Sequence, residues 1–237
     1  MGVGIPGATS QGAHRRATMG VVRELQGAVV VVVGATGGIG RPLVSELGRR
    51  GAVVLGAGRQ GPDIVCDLRD VDAGQAVVRG ALGLQGRLDG VVNAAGIVAF
   101  GDLVATDPAV IEELFLTNAL GPLWLARAVL PVLAERRGFF ATITGVVAEQ
   151  SLAHLVPYCA SKAALSHALP GLRREARRLG VHVADFRPPV VTNELYYQWT
   201  LYTLPVERRD ADENERNLRR VTFVNGTFVV VGNDGRI

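Results

Sequence analysis

The sequence predicts a single α/β domain in which a doubly wound parallel sheet lies between two layers of helices. Short apolar runs alternate with helical stretches along most of the chain, which is typical of βαβ units. The first run leads through a glycine-rich turn into an amphipathic helix. The length of 237 residues, 48% of them apolar, suits one sizeable domain rather than two.

Composition and charge exclude several classes of protein. The longest purely apolar run, residues 28–33, is far shorter than the ~20 residues that cross a bilayer, so we expect no membrane partner. Cys66 and Cys159 are too few for a disulfide framework or a metal site, which favours a cytoplasmic protein. The net charge of +3 comes with scattered arginine pairs and no basic stripe, so we expect no nucleic-acid partner.

Residues 1–22 are rich in Gly, Ala and small polar residues and show no sustained hydrophobic period. They contain no apolar segment of signal-peptide type. We therefore expect a disordered leader, followed by one domain over residues 23–237.

The first strand is predicted at Ala28–Val33, and an amphipathic helix runs from Arg41 to about Arg49. Between them lies a turn made of Gly34, Ala35, Thr36, Gly37, Gly38, Ile39 and Gly40. Missing side chains let a pyrophosphate approach the backbone, and the helix N-terminus supplies N–H groups and partial positive charge. A glycine-rich loop alone is a weak signal, but between a strand and a helix it favours dinucleotide binding over a simple tight turn.

The second strand, Ala52–Ala57, ends at Gly58 and Arg59. In dinucleotide-binding folds the end of this strand lies beside the adenosine ribose, where an acidic residue binds the 2′-hydroxyl of NAD. An arginine suits a 2′-phosphate instead, so we expect NADP(H) to be preferred over NAD(H). The alternative is that Arg59 is a solvent-exposed loop residue.

The remaining pattern continues the alternation of strands and helices. Further strands are predicted at Ile64–Asp67, Leu88–Val92, Phe139–Thr144 and Val181–Phe186, and helices at 108–137, with bends at Pro122 and Pro131, and at 157–179, with Pro170 inside. A substrate loop is expected at about 193–222. Asn225-Gly226 within Val221–Val231 predicts a local hairpin, although a final sheet strand at Thr227–Val231 is the alternative.

Tyr158 and Lys162 are four residues apart and so share one side of a predicted helix. Lys162 is the only lysine in the chain. A neighbouring ammonium lowers the pKa of a phenol, which would make Tyr158 a usable acid/base at neutral pH. For an isolated pair, two solvated side chains on a surface helix would be the better interpretation, so the other motifs decide.

Together these motifs resemble the short-chain dehydrogenase/reductase family in its single-domain Rossmann form. The resemblance covers about Leu25 to Thr192 and returns near the end of the chain. It rests on the glycine-rich turn, on Asn93-Ala94-Ala95-Gly96, on Asn118 and on the run from Tyr158 to Lys162, in that order and at family spacings. It also favours a final sheet strand at Thr227–Val231 over the hairpin.

The resemblance implies hydride transfer between NADP(H) and a carbonyl or alcohol. Tyr158 would be the acid/base, Lys162 would lower its pKa and bind the nicotinamide ribose, and Asn118 would hold a water. Asp67 and Leu68 would lie beside the adenine. The rest of the cofactor site would be Gly34, Gly37, Gly38, Ile39, Gly40, Asn93, Ala94, Ala95, Gly96, Pro188 and Val191, with no metal.

Two departures from the family pattern affect catalysis. The family's catalytic serine corresponds to Gly145, and removing a comparable donor costs roughly 10²–10³ in rate. Thr144 replaces that hydroxyl only if the backbone turns at the strand end, and Ser151 is another candidate donor. Asn193 stands where the family usually has a threonine that holds the carboxamide.

Two hypotheses follow. The first is an NADP(H)-dependent oxidoreductase that acts on a modestly apolar carbonyl or alcohol. The second is an NADP(H)-binding protein with little or no turnover, in which Gly145 marks a lost activity. By family analogy we also expect a homo-oligomer, a dimer or tetramer, joined through the helices around Asn118 and Tyr158.

Overall fold

The structure, a computed structural model, describes residues 25–188 and the backbone of two later strands, 218–224 and 227–232. The leader expected at 1–22 lies outside the described residues, as do Val191, Asn193 and the expected substrate loop as far as residue 217.

Six parallel strands form one sheet in the order β3-β2-β1-β4-β5-β6. They are β1 Val29–Val33, β2 Val53–Gly58, β3 Ile64–Val65, β4 Gly90–Asn93, β5 Phe139–Ile143 and β6 His182–Phe186. The strand order reverses between β1 and β4, and a crevice forms at such a point beyond the carboxyl ends of the strands. This arrangement confirms the predicted doubly wound parallel sheet.

Helices cover both faces of the sheet. They are α1 Gly40–Arg49, α2 Ala73–Gln85, α3 Pro108–Phe115, α4 Gly121–Glu135 and α5 Val156–Arg178. Alternate valines of β1 pack on opposite faces of the sheet. Val31 belongs to the core beneath α2, α4 and α5, whereas Val30 and Val32 belong to the core beneath α1. A central strand buried on both faces explains why the first run is purely β-branched.

Several elements differ from the sequence prediction. The strand predicted at Ile64–Asp67 stops at Val65, so that Cys66 and Asp67 follow it. The long helical stretch is divided by a π-helical turn, Leu116–Leu120, and Pro122 lies in the first turn of α4. Helices α4 and α5 continue through Pro131 and Pro170. Helix α2 was not among the predicted elements.

The helical stretch Pro108–Glu135 is long and apolar enough to cross a membrane by length and composition alone. Half of its most apolar window is buried inside the protein, and Leu125, Val129 and Leu133 are completely buried in the core. We therefore interpret it as a core helix.

The preference for a final sheet strand at Thr227–Val231 is wrong. Strands β7, Leu218–Val224, and β8, Thr227–Gly232, pair antiparallel in a separate two-stranded sheet, with Val224 opposite Thr227. Two residues connect them, which is the loop length of a tight hairpin. The local prediction from Asn225-Gly226 was the correct one.

Candidate active site

A crevice of about 900 Å³ lies at the carboxyl ends of the strands. Many of the predicted site residues line it: Gly34, Gly37, Gly38, Ile39, Arg59, Asp67, Leu68, Ala94, Ala95, Gly96, Thr144, Tyr158, Lys162 and Pro188. Gly40, Asn93 and Asn118 are buried behind this lining. The volume falls within the usual range for cofactor and ligand sites.

The glycine-rich turn is held close to the neighbouring strand end. Gly34 has φ +82°, and a Cβ there would lie 2.7 Å from the backbone nitrogen of Ala95. A Cβ on Gly40 would lie 2.0 Å from the carbonyl oxygen of Gly34. No side chain caps the N-terminus of α1, and its first turn carries no acidic residue. The residues therefore fit a pyrophosphate that would accept hydrogen bonds from the turn and helix backbone.

Charged side chains line the crevice beyond the carboxyl ends of β2 and β3. The guanidinium of Arg69 contacts Asp67 at 2.6 Å and Glu113 at 3.2 Å. The hydrogen bonds from Arg69 hold the pKa of the Asp67 carboxyl below its ordinary value, and the charge of Arg59 acts in the same direction. Asp67 is therefore ionised at neutral pH, between two arginines.

Tyr158 and Lys162 lie on the first turns of α5 and both line the crevice. The Nζ atom of Lys162 donates to the carbonyl oxygen of Ile143 at 3.0 Å. Burial lowers the pKa of Lys162 to about 8 and raises that of Tyr158 to about 12. The pKa of Tyr158 is thus raised in this structure because desolvation of the phenol dominates, and the expectation that Lys162 lowers it stays a prediction.

Asn118 lies in the π-helical turn and is completely buried. Its Oδ1 accepts from the backbone N–H of Ile97 at 2.9 Å, and its Nδ2 donates to the carbonyl oxygen of Ile97 at 2.8 Å and to Ser161 at 3.0 Å. Its side chain thus ties the segment after β4 to α5. Its role in holding a water stays a prediction.

Thr144 does not offer its hydroxyl proton to the crevice. Its Oγ1 donates to Oδ1 of Asp185 at 2.6 Å, and the residue is 1% exposed. Gly145 has φ +86°, so the backbone does turn at the strand end. A serine at this position would have space, since a Cβ meets no atom closer than 3.5 Å, but the positive φ would strain it. Ser151 is exposed and does not line the crevice.

The structure adds site residues that the sequence analysis missed. An apolar wall lines part of the crevice, formed by Ile97, Val98, Phe100, Val146, Leu152 and Leu155. Asp185 on β6 is also new: its side chain is 4% exposed. A carboxylate inside the apolar run 181–186 was a signal that pointed to a buried polar role.

Comparison with known proteins now identifies the family. A family model described as short chain dehydrogenase matches residues 63–200. The chain belongs to the short-chain dehydrogenase family. It is 29% identical over 195 residues to dehydrogenase/reductase SDR family member 7B of Xenopus laevis, covering 72% of this chain and 60% of that protein.

Other relatives in this family have similar levels of identity. The chain is 30% identical over 176 residues to human 17-beta-hydroxysteroid dehydrogenase 13, covering 67% of this chain and 59% of that protein. It is also 30% identical over 190 residues to an uncharacterized oxidoreductase of Myxococcus xanthus, covering 73% and 75%. The chain thus spans about 60% of the length of several relatives that it matches.

Solved structures of short-chain dehydrogenases share the fold. One from Burkholderia cenocepacia, in complex with NADP, is 26% identical with a TM-score of 0.67, covering 74% of this chain and 78% of that one. A metagenomic short-chain oxidoreductase, also in complex with NADP, is 31% identical with a TM-score of 0.65, covering 71% and 85%.

Proposed function

We propose that this protein is an NADP(H)-dependent oxidoreductase that acts on a modestly apolar carbonyl or secondary alcohol. The observation that carries the proposal is that Tyr158 and Lys162 line the same crevice as the glycine-rich turn that begins at Gly34. When bound there, the nicotinamide supplies or accepts the hydride.

Different residues of the crevice would bind different parts of such a cofactor. The backbone from Gly34 to Ile39 and the N-terminus of α1 would hold the pyrophosphate. Asp67 and Leu68 would lie beside the adenine, and Arg59 would bind a 2′-phosphate. Lys162 would hold the nicotinamide ribose through its Nζ.

Tyr158 is the proposed proton donor to a substrate carbonyl, and acceptor in the reverse direction. Its raised pKa keeps the phenol protonated at neutral pH, which favours the carbonyl-reducing direction. The apolar wall of the crevice supports an apolar substrate, because desolvation of apolar surface is the main contribution such a wall makes to binding. The name of the human relative, a hydroxysteroid dehydrogenase, agrees with that class of substrate.

A second candidate function is dinucleotide binding with little or no turnover. Two observations favour it: Gly145 has no hydroxyl, and the Thr144 hydroxyl is held by Asp185. Neither residue therefore offers a donor for the charge that develops on the substrate oxygen.

Replacing Tyr158 by Phe tests the proposal against this rival. We expect the wild-type protein to oxidise NADPH with some members of a panel of apolar ketones and aldehydes. Tyr158→Phe should lower that rate by roughly 10²–10⁴, because the proton donor is lost, while NADPH affinity stays within about twofold. The measurements are NADPH absorbance for the rate and NADPH fluorescence for the affinity.

Each remaining outcome has a clear meaning. NADPH binding without turnover on any carbonyl or alcohol of the panel would support the rival function. An unchanged rate in Tyr158→Phe would remove the phenol from the mechanism. Loss of NADPH affinity together with a lowered melting temperature would mean that the variant is misfolded, and Tyr158→Trp would then be tested.

We also propose a cytoplasmic location and self-association through the helices that carry Asn118 and Tyr158. Members of this family commonly oligomerise, which supports the second part. Sedimentation velocity on the full chain would test it.

A further inference from the structure

A buried carboxylate lies behind the crevice, on β6. The Asp185 side chain is 4% exposed and has two hydrogen-bond donors. Its Oδ1 accepts from Thr144 Oγ1 at 2.6 Å, and its Oδ2 accepts from Arg187 Nε at 2.7 Å. Arg187 also pairs with Glu149 at the surface. Burial raises the pKa of Asp185, whereas the hydrogen bond from Thr144 and the charges of Arg173 and Lys162 favour its ionised form.

Lys162 and Asp185 hold successive residues at the end of β5. The Lys162 ammonium donates to the carbonyl oxygen of Ile143, and the Asp185 carboxylate accepts from the hydroxyl of Thr144. In the parallel pairing of β5 with β6, Asp185 is opposite Thr142. Both side chains therefore hold the end of β5, Lys162 through the carbonyl oxygen of Ile143 and Asp185 through the hydroxyl of Thr144.

The charges around Lys162 are few. Burial favours its neutral amine, and the negative charge of Asp185 is what opposes this effect. Within residues 25–188, Asp185 is the one carboxylate whose charge acts on Lys162 in this way. An uncharged residue, Gly96, lies beside the ammonium: a Cβ there would be 3.0 Å from the Nζ of Lys162 and 3.1 Å from Oδ1 of Asn118.

Asp185 itself faces several charged groups. Arg173 on α5 and Lys162 both favour its ionised form. Arg187 contacts it directly, and Glu149 shares the Arg187 guanidinium. Asp185 therefore lies between one buried cation and cations nearer the surface.

We propose that Asp185 is a positioning residue with two effects on Lys162. Its negative charge keeps the Lys162 side chain protonated, and its hydrogen bond with Thr144 holds the end of β5, where the Ile143 carbonyl accepts from the ammonium. The inference deepens the proposed function, since it matters for turnover only if Lys162 takes part in it. The effect of Asp185 on the protonation of Lys162 can also be measured without cofactor or substrate.

The chain's single lysine makes a direct test possible. Protein labelled with ¹³C-lysine should give one ¹³Cε resonance, whose chemical shift follows the protonation of Lys162. In the wild-type full chain we expect a titration midpoint near pH 8. In Asp185→Asn, which keeps the shape but removes the charge, the midpoint should fall by roughly one unit, because an opposite charge has been lost.

Asp89→Asn is the matched control. Asp89 is also a buried carboxylate paired with an arginine, Arg87, at 2.7 Å. It lies just before β4, at the opposite end of the strands from the crevice, and accepts from the backbone N–H of Val29. Its loss should lower stability without moving the Lys162 midpoint. A midpoint that moves equally in both variants would overturn the inference, since the cause would then be general loosening.

A second variant covers the case in which Asp185→Asn does not fold. Arg187→Gln, at an exposed position, leaves the carboxylate in place but removes the guanidinium that partly neutralises it. The Lys162 midpoint should then rise. An unchanged midpoint in a folded Asp185→Asn, or a rise absent from Arg187→Gln, would overturn the proposal.

Activity adds an independent readout. If the protein reduces carbonyls, the alkaline limb of its pH–rate profile should move to lower pH in Asp185→Asn, because the ammonium is lost earlier. Should the wild type show no turnover at all, the proposed function would fail, whereas the shift in the Lys162 resonance would still support the role of Asp185. The two failures are thus separable.

Discussion

At the scale of single residues, two arginines that line the crevice beyond β2 and β3 have different surroundings. Arg69 is compensated by two carboxylates, Asp67 and Glu113. Arg59 follows β2, is exposed, and forms no ion pair within residues 25–188. A guanidinium without a bound carboxylate is the better partner for a phosphate, since no existing pair must be broken.

Replacing Arg59 by Ala should therefore weaken NADPH much more than NADH. We expect NADPH affinity to fall roughly 10-fold or more, which corresponds to about 1.4 kcal/mol, and NADH affinity to stay within about twofold. Isothermal titration at fixed ionic strength measures both constants. Arg79→Ala, at an exposed position on α2, is the control and should change neither. Equal losses for the two cofactors would contradict the assignment.

Residues that form part of a sequence motif could be predicted, whereas residues that act through contacts between strands could not. Tyr158 and Lys162 are four positions apart on one helix, so their shared position on the crevice follows from helix geometry. Thr144 and Asp185 are 41 positions apart and meet only because β5 pairs with β6. The pKa of Tyr158 could not be predicted either, because it depends on burial by residues distant in the sequence.

At the scale of elements, helix α1 contains two glycines in opposite environments. Gly40 begins the helix, and a Cβ there would lie 2.0 Å from the carbonyl oxygen of Gly34. Gly48, near the other end of the helix, has no atom within 4 Å of an added Cβ. The same substitution therefore tests backbone packing at one end and intrinsic helix propensity at the other.

Gly40→Ala should push the glycine-rich turn away from α1. A methyl group that meets backbone cannot be relieved by a rotamer change, so we expect a loss of several kcal/mol or a failure to fold, and weaker NADPH binding in any folded fraction. Gly48→Ala should be stabilising by up to about 1 kcal/mol, because alanine has the higher helix propensity. Chemical denaturation of both variants measures the difference. Equal stabilities would show that α1 can move away from Gly34 freely.

The elements that escaped prediction have identifiable physical causes. Helix α2 contains Gly74, Gly80 and Gly83, which lower helix propensity, yet Gly74 lets the helix approach α4 closely. The π-helical turn at 116–120 has no strong sequence signal. The hairpin β7–β8 was predicted correctly by its Asn-Gly pair and wrongly by family analogy, since analogy does not detect a local departure.

At the scale of the whole molecule, burial of Lys162 opposes folding. Its pKa is about 8 in the folded protein and 10.5 for an exposed lysine, so the folded state disfavours the ammonium. Below about pH 8 the amine is charged in both states, and the full penalty of roughly 3 kcal/mol applies. Between pH 8 and 10.5 the folded state releases its proton first, and the penalty fades.

Replacing Lys162 by Met should therefore stabilise the protein while abolishing carbonyl reduction, as expected where a functional group is held in an unfavourable place. The lost hydrogen bond to Ile143 offsets part of the gain, which leaves roughly 1–3 kcal/mol at pH 7. The gain should shrink by pH 10, because the wild type no longer carries the buried charge. Tyr158 cancels from this comparison, since both proteins contain it.

Urea unfolding at pH 7 and pH 10 measures the difference, with Arg174→Met, exposed on the same helix, as the control. A gain of the same size at both pH values would mean that the ammonium of the wild type is not desolvated, and the central feature of the proposed active site would be lost.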